Sequence, residues 1–216
     1  MIYLKGHQPL AAGNNSQVFE HPSDCALLVK VVRPEAIERH NRKPNLFRGR
    51  RRRFHHLKNV IRVFEEQVAV LAKEGRSAQY LEEVIGIADT DLGPGLVVKR
   101  ETFGGELAPN VHTLLSEGRF ELRMMPRFEE FVRWLETSPV IVNDIGLRNI
   151  VLSDRVGSAP RFVLIDGYGE TAAVPFKSWS SRWNRWDKRK KIRSIFLQVR
   201  ERQKDCGRIK LEDVAA

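Results

Sequence analysis

Apolar and polar positions along the first hundred residues alternate in short blocks. Strand-like blocks at residues 9–12, 17–20 and 26–32 are separated by turn-forming residues, Gly13-Asn14-Asn15-Ser16 and His21-Pro22-Ser23-Asp24. That order predicts an antiparallel meander. Residues 34–58 show no clean period and read as a loop. From 59 to 74 the period lengthens: Val60, Val63, Phe64, Val68 and Leu71 fall on one helical face, and Gly75 supplies the stop. Two further blocks, 84–88 and 96–99, flank Asp89-Thr90-Asp91-Leu92-Gly93-Pro94-Gly95 and predict a hairpin. Phe103-Gly104-Gly105 marks a break, and the lobe boundary is placed there, giving lobes of 1–102 and 103–216 within a single domain.

Beyond the break the spacing predicts a short helix over 111–117 and a longer one over 121–136. The longer helix carries a stripe of Met125, Phe128, Phe131, Val132 and Leu135, with Pro126 in its first turns, where a helix tolerates it. The chain then becomes short and extended: Val140-Ile141-Val142, Ile150-Val151-Leu152, a turn over 153–160, and Phe162-Val163-Leu164-Ile165. After Asp166-Gly167-Tyr168-Gly169 come Trp179, Trp183 and Trp186, and a basic helix predicted over 184–204.

The 216 residues suffice for one domain with a real core, or for two small lobes sharing a cleft. No apolar run reaches the ~18 residues that cross a bilayer, and the N-terminus lacks the pattern of a secretory signal. Two distant cysteines, Cys25 and Cys206, form neither a disulfide framework nor a zinc knuckle, so a reducing cytoplasm is expected. The formal charge of +10 changes the picture. It is concentrated in an insertion near 33–58, with Arg50-Arg51-Arg52-Arg53, and in a tail over 177–210, with Lys188-Arg189-Lys190-Lys191. Such runs point to phosphates, anionic lipid or nucleic acid, or to plain solvated faces.

The stretch with the most chemistry is Val142-Asn143-Asp144-Ile145-Gly146-Leu147-Arg148-Asn149, followed by the 150–152 and 162–165 blocks and Asp166-Gly167. If the two blocks pair as an antiparallel hairpin, the start of one lies beside the end of the other. Asn149 and Asp166 then meet at one sheet end, with Asp144 in the loop leading there. Hard oxygen donors converging in this way suit a Mg²⁺ ion that bridges nucleotide phosphates. Lys30, inside the apolar block Leu27-Leu28-Val29-Lys30-Val31-Val32, has a stem that packs while its ammonium reaches an anion.

Asp144, then Asn149 five residues later, then Asp166 at the end of an apolar strand resemble the catalytic loop and metal-binding segment of protein kinases. More specifically, the chain resembles the small bacterial YrbL family of the PhoP regulatory network. The likeness is carried by Val18-Phe19-Glu20-His21-Pro22, Leu28-Val29-Lys30-Val31-Val32, Asn149-Ile150-Val151-Leu152, Asp166 to Glu170, and Trp179. The resemblance implies an α+β, protein-kinase-like two-lobed fold, with a small β-rich N-lobe and a reduced helical C-lobe. It implies that Ala11, Gly13, Ser16 and Val18 belong to a phosphate-covering loop and that Lys30 contacts the nucleotide, paired with Glu65 or Glu66. Asn149 and Asp166 would hold Mg²⁺ beside ATP, and Asp144 would act as base.

The sequence departs from an active kinase in several places. Ala11 and Ser16 stand where glycine is usual, and Gly146 stands where a lysine is usual, with Arg148 nearby as a substitute phosphate contact. Asp166-Gly167-Tyr168 replaces Asp-Phe-Gly, and only about fifty residues follow Asp166, too few for the usual peptide-binding lobe. The expectation is therefore ATP- and Mg²⁺-dependent phosphoryl transfer to a non-protein hydroxyl, on an anionic sugar or lipid. A nucleotide-binding pseudokinase is the alternative, and a basic nucleic-acid-binding protein is the weakest reading. The Trp-bearing basic tail suits association with the inner-membrane surface, or tryptophans packed on the core beneath a solvated basic face.

Overall fold

The computed structural model describes residues 1–13, 15–42, 58–75, 79–157, 159–169 and 176–212. Asn14, Glu170 and the Arg50-Arg51-Arg52-Arg53 run lie outside the described residues. The chain divides into two compact units, one of residues 1–67 with 83–100, the other of 68–82 with 101–216.

The first unit is built on a five-stranded antiparallel sheet in the order β1-β2-β3-β5-β4. Its strands are β1 (Ala11–Ala12), β2 (Ser16–His21), β3 (Asp24–Val32), β4 (Val84–Thr90) and β5 (Gly93–Lys99). Both the meander and the hairpin expected from the sequence are present. Period-two alternation sorts β3 into two faces. Val29 and Val31 turn to a core shared with Leu4 and Phe19, flanked by Ile2 and Leu92. The N-terminal segment is tied onto the sheet by Asp91, whose carboxylate accepts from Leu4 N (2.7 Å) and Lys5 N (3.0 Å). Those backbone bonds hold the Asp91 carboxyl below the usual carboxylate range. Gly95 is fixed by close approach: a Cβ there would lie 2.8 Å from Val29 Cγ1.

Two helices depart from expectation. Helix α1 (Pro34–Arg42) occupies the start of a stretch expected to loop, because Pro34 and Glu35 make a good first turn. Helix α2 (Lys58–Glu74) forms where expected but buries only the first part of the expected stripe. Val60, Val63, Glu66 and Val70 are inward, whereas Val68 and Leu71 are 60% and 52% exposed. The sequence carries two apolar stripes at helical spacing, and periodicity alone could not choose between them.

The second unit opens with the 80–82 segment, which runs beside residues 161–164 through bonds from Leu164 N to Tyr80 O (2.8 Å) and from Glu82 N to Leu164 O (3.0 Å). The glycine break is a small hairpin of β6 (Thr102–Phe103) and β7 (Glu106–Leu107). Helix α3 (Val111–Ser116) is capped by Asn110, whose side chain accepts from Thr113 N. Helix α4 (Met125–Thr137) starts after a 3-10 turn, so Pro126 falls in its first turn. Of the predicted stripe, Phe128, Phe131 and Leu135 are fully buried. Phe128 packs edge-on against Phe162, with ring centres 5.2 Å apart. Strands β8 (Ile150–Ser153) and β9 (Arg161–Leu164) form the second hairpin, followed by α5 (Phe176–Trp179) and the long α6 (Ser181–Glu212). Helix α6 buries Ile192, Ile195 and Val199 and packs on α4.

Candidate functional site

The second unit holds the loop–hairpin constellation. Antiparallel register pairs Ile150 with Leu164, and Ile165 N donates to Asn149 O at 2.9 Å. Asn149 and Asp166 therefore flank the same end of the hairpin. After Asp166 the chain runs back along 141–144: Val142 bridges Tyr168, and Gly167 O accepts from Asn143 N (2.8 Å) and Asp144 N (3.0 Å). Asn143 Nδ2 donates to Gly169 O and Gly169 N to Ile141 O, closing this two-stranded patch. Asp144, Asn149 and Asp166 thus come together from three successive segments of one unit.

Gly167 explains how tightly. Its φ is +83°, a left-handed conformation that favours glycine. A Cβ there would sit 2.0 Å from Asp144 O and 3.0 Å from Asn149 Nδ2, a space that no side chain can occupy. The donor arrangement fits a hard cation. Asn149 Nδ2 donates to Asp144 O (3.3 Å), which commits the amide nitrogen, so that its oxygen is the atom that could meet a cation. One carboxylate oxygen of Asp166 accepts from Gly167 N (2.7 Å), and the other could meet a cation. Asp144, Asp166 and Arg148 are exposed and Asn149 is half-buried. Among the described residues no three His, Cys, Asp or Glu side chains form a metal cluster. An ion that also binds phosphates takes only one or two protein ligands. Gly146 lies beside the pair: a Cβ there would be 3.7 Å from Asp144 Oδ1 and 3.8 Å from Asn149 Nδ2, ordinary contact distances.

Several supports of this site have no sequence signal. Tyr168 is 5% exposed, and its hydroxyl hydrogen-bonds Glu82 Oε1 (3.1 Å), itself 2% exposed. The segment that leads to Asp144 is held by α6. Lys188 Nζ donates to Leu135 O and Ser138 O, both at 2.7 Å, capping the C-terminus of α4. Asn184 Nδ2 donates to Pro139 O (3.1 Å) and Val140 O (3.2 Å), and Lys191 Nζ to Val142 O (2.7 Å). Asp187 accepts from Lys177 and Lys191, each at 2.8 Å. Burial alone would push the Asp187 carboxyl up, but the two lysine hydrogen bonds more than offset this and hold it below the usual range. Burial likewise holds the Lys191 ammonium below its ordinary value, opposed by the Asp187 hydrogen bond.

The first unit carries the other expected residues. Ala11 pairs with Val18, Val18 with Lys30, and Lys30 with Leu96, so these four form a row across one face of the sheet. Gly13 and Ser16 close the β1–β2 turn through Gly13 N to Ser16 O (2.8 Å), and Arg33 Nη1 donates to Gly13 O (3.3 Å). A Cβ on Gly13 would meet only Ser16 O at 3.7 Å, so its backbone does not demand glycine. On α2, Glu66 is 5% exposed while Glu65 faces solvent.

No curated protein matches the chain. Among solved structures it is similar to a double mutant of the Mycobacterium tuberculosis PknI kinase domain, at 16% identity and a TM-score of 0.43. That match covers 74% of this chain and 56% of the kinase domain, so the chain spans little more than half of that domain's length. Over residues 2–200 it matches the family model described as PhoP regulatory network protein YrbL, and the chain belongs to that family.

Proposed function

We propose that the chain is an ATP- and Mg²⁺-dependent phosphotransferase acting on a non-protein hydroxyl, on an anionic sugar or lipid. The observation that carries this reading is the convergence of Asp144, Asn149 and Asp166 around the glycine-only backbone at Gly167. Asn149 and Asp166 would hold the ion, which when bound neutralises phosphate charge. Asp144 would accept the proton of the acceptor hydroxyl, and Arg148 would contribute positive charge to the transferred group.

The residues expected to contact a nucleotide lie in the first unit. Val18 and Lys30 share one sheet face with Ala11, which offers an apolar surface for a base and a cation for its phosphates. Of the two candidate partners of Lys30, Glu66 would be the better placed to hold a fixed ion pair, because it is buried whereas Glu65 is exposed. Gly13 and Ser16 supply the backbone turn of the covering loop.

The second reading, a nucleotide-binding pseudokinase, is favoured by Gly146, which leaves Asp144 without the neighbouring lysine of kinases. One experiment separates the readings. A ligand at one hundred times its dissociation constant adds about 2.7 kcal/mol, which in a chain of this size raises the unfolding midpoint by roughly 5–10 °C. Mg²⁺-ATP is expected to give that rise in the wild type and in Asp144→Ala, but not in Asp166→Ala. Transfer of labelled phosphate that is lost in Asp144→Ala supports the enzyme. A thermal rise without transfer supports the pseudokinase, and no rise at millimolar ATP sinks both.

A further inference from the structure

We propose that the outward face of α6, with Trp179 beside it, is a docking surface for an anionic lipid membrane. The proposal rests on the second unit alone and does not depend on the phosphotransferase reading. The chain has four tryptophans, and three of them lie on this one patch: Trp179, Trp183 and Trp186 are 71%, 57% and 63% exposed. The rings of Trp183 and Trp186 stand 6.0 Å apart, so they present a continuous aromatic surface. Of the two alternatives for these tryptophans, packing on the core does not match their exposure.

Helical geometry gives the patch its shape. Asn184, Lys188, Ile192, Ile195 and Val199 mark the buried side of α6. The opposite side runs Trp183, Trp186, Lys190, Arg193 and Leu197, spaced three or four residues apart, with Leu197 49% exposed. Arg182 and Arg185 flank that stripe and are exposed, while Arg189, also exposed, pairs with Glu136 of α4. The only acidic residue between 179 and 200 is Asp187, which is already engaged by Lys177 and Lys191. The face thus combines indoles, one aliphatic side chain and the exposed cations Arg182, Arg185, Lys190 and Arg193 on a convex surface.

Indoles settle at the headgroup level of a bilayer, and arginine and lysine beside them are drawn to anionic headgroups. A single nucleic-acid strand, the other polyanion that pairs arginine with aromatics, is tracked by a groove, and a convex helix face offers none. No helix among the described residues is long and apolar enough to cross a membrane, so the contact proposed is with the surface.

The test uses the full chain with vesicles of phosphatidylglycerol and phosphatidylcholine in equal parts, and with pure phosphatidylcholine vesicles. Sedimentation with the anionic vesicles is expected, with a blue shift of tryptophan emission and release by salt. The pure phosphatidylcholine vesicles should leave the protein in the supernatant. Trp183→Ala with Trp186→Ala, and separately Arg182→Glu with Arg193→Glu, should each weaken partitioning by about tenfold or more. These positions are exposed, so unchanged unfolding midpoints will show that the variants fold. Failure to sediment with anionic vesicles overturns the proposal, as does sedimentation indifferent to both variant pairs. Binding of single-stranded nucleic acid, or self-association, that the same variants abolish while vesicles are ignored assigns the face elsewhere and equally overturns it.

Discussion

On the inward face of α6, Lys188 is 1% exposed and its ammonium caps two carbonyls at the end of α4. On the outward face Lys190, two positions on, is exposed one turn from Trp186. The two lysines belong to the same run of four cations, yet one is an internal fastener and the other part of a solvent-facing field. Net charge counts them equally. Geometry separates them, because a cation at a helix C-terminus meets carbonyls that lack a backbone N–H partner within the helix, whereas an exposed ammonium stays hydrated. Of the tail's basic excess, only the outward share is available to a polyanion.

The matched pair Lys188→Met and Lys190→Met gives the largest test of this contrast. Loss of the inward ammonium leaves the Leu135 and Ser138 carbonyls without that donor and should cost about 2–4 kcal/mol. The outward change should stay within about 0.5 kcal/mol. Equal losses in chemical denaturation would erase the distinction between the faces.

Asn184→Ala probes the same inward face one turn earlier. It removes the donor to Pro139 O and Val140 O and is expected to cost about 1–2 kcal/mol. If the segment leading to Asp144 depends on that bond, amide exchange at 140–144 should also accelerate.

The smallest expected effect lies at the rim, where Asp187 is linked to Lys177 and Lys191. Its carboxyl is held below its ordinary value, so the stability it contributes is present above the unfolded value of ~3.9 and is lost as pH falls through the folded value. Asp187→Asn should therefore cost no more than about 1 kcal/mol near neutrality. It should also flatten the acid limb of the stability curve below about pH 4. An unchanged acid limb would remove Asp187 from the fastening set.

These contrasts mark where sequence reading succeeds and where it stops. The α+β architecture was legible because its signals are local: Gly13 to Ser16 as a turn, 84–88 and 96–99 around Gly93-Pro94-Gly95, Phe128, Phe131 and Leu135 three or four apart. The hairpin that places Asn149 beside Asp166 was legible for the same reason, as two apolar blocks joined by one turn. The later part of the α2 stripe was misread because Val68 and Leu71 satisfy the helical period as well as Val70 does. The loop expected at 34–42 is a helix, which its weak apolar pattern hid. Lys188, Asn184 and the Tyr168–Glu82 bond could not be read at all, since each joins residues 44 or more positions apart. A lysine that caps a distant carbonyl has the same letter as one in water.

Lys188 also makes the protein its own clock. An amine-reactive label in excess reaches Lys190 at once, but reaches Lys188 only when α6 lifts from α4. The lag between the two modifications, read peptide by peptide in a mass spectrometer, reports how often the tail lets go. Nucleotide or vesicles added to the same reaction would show whether either one slows that release.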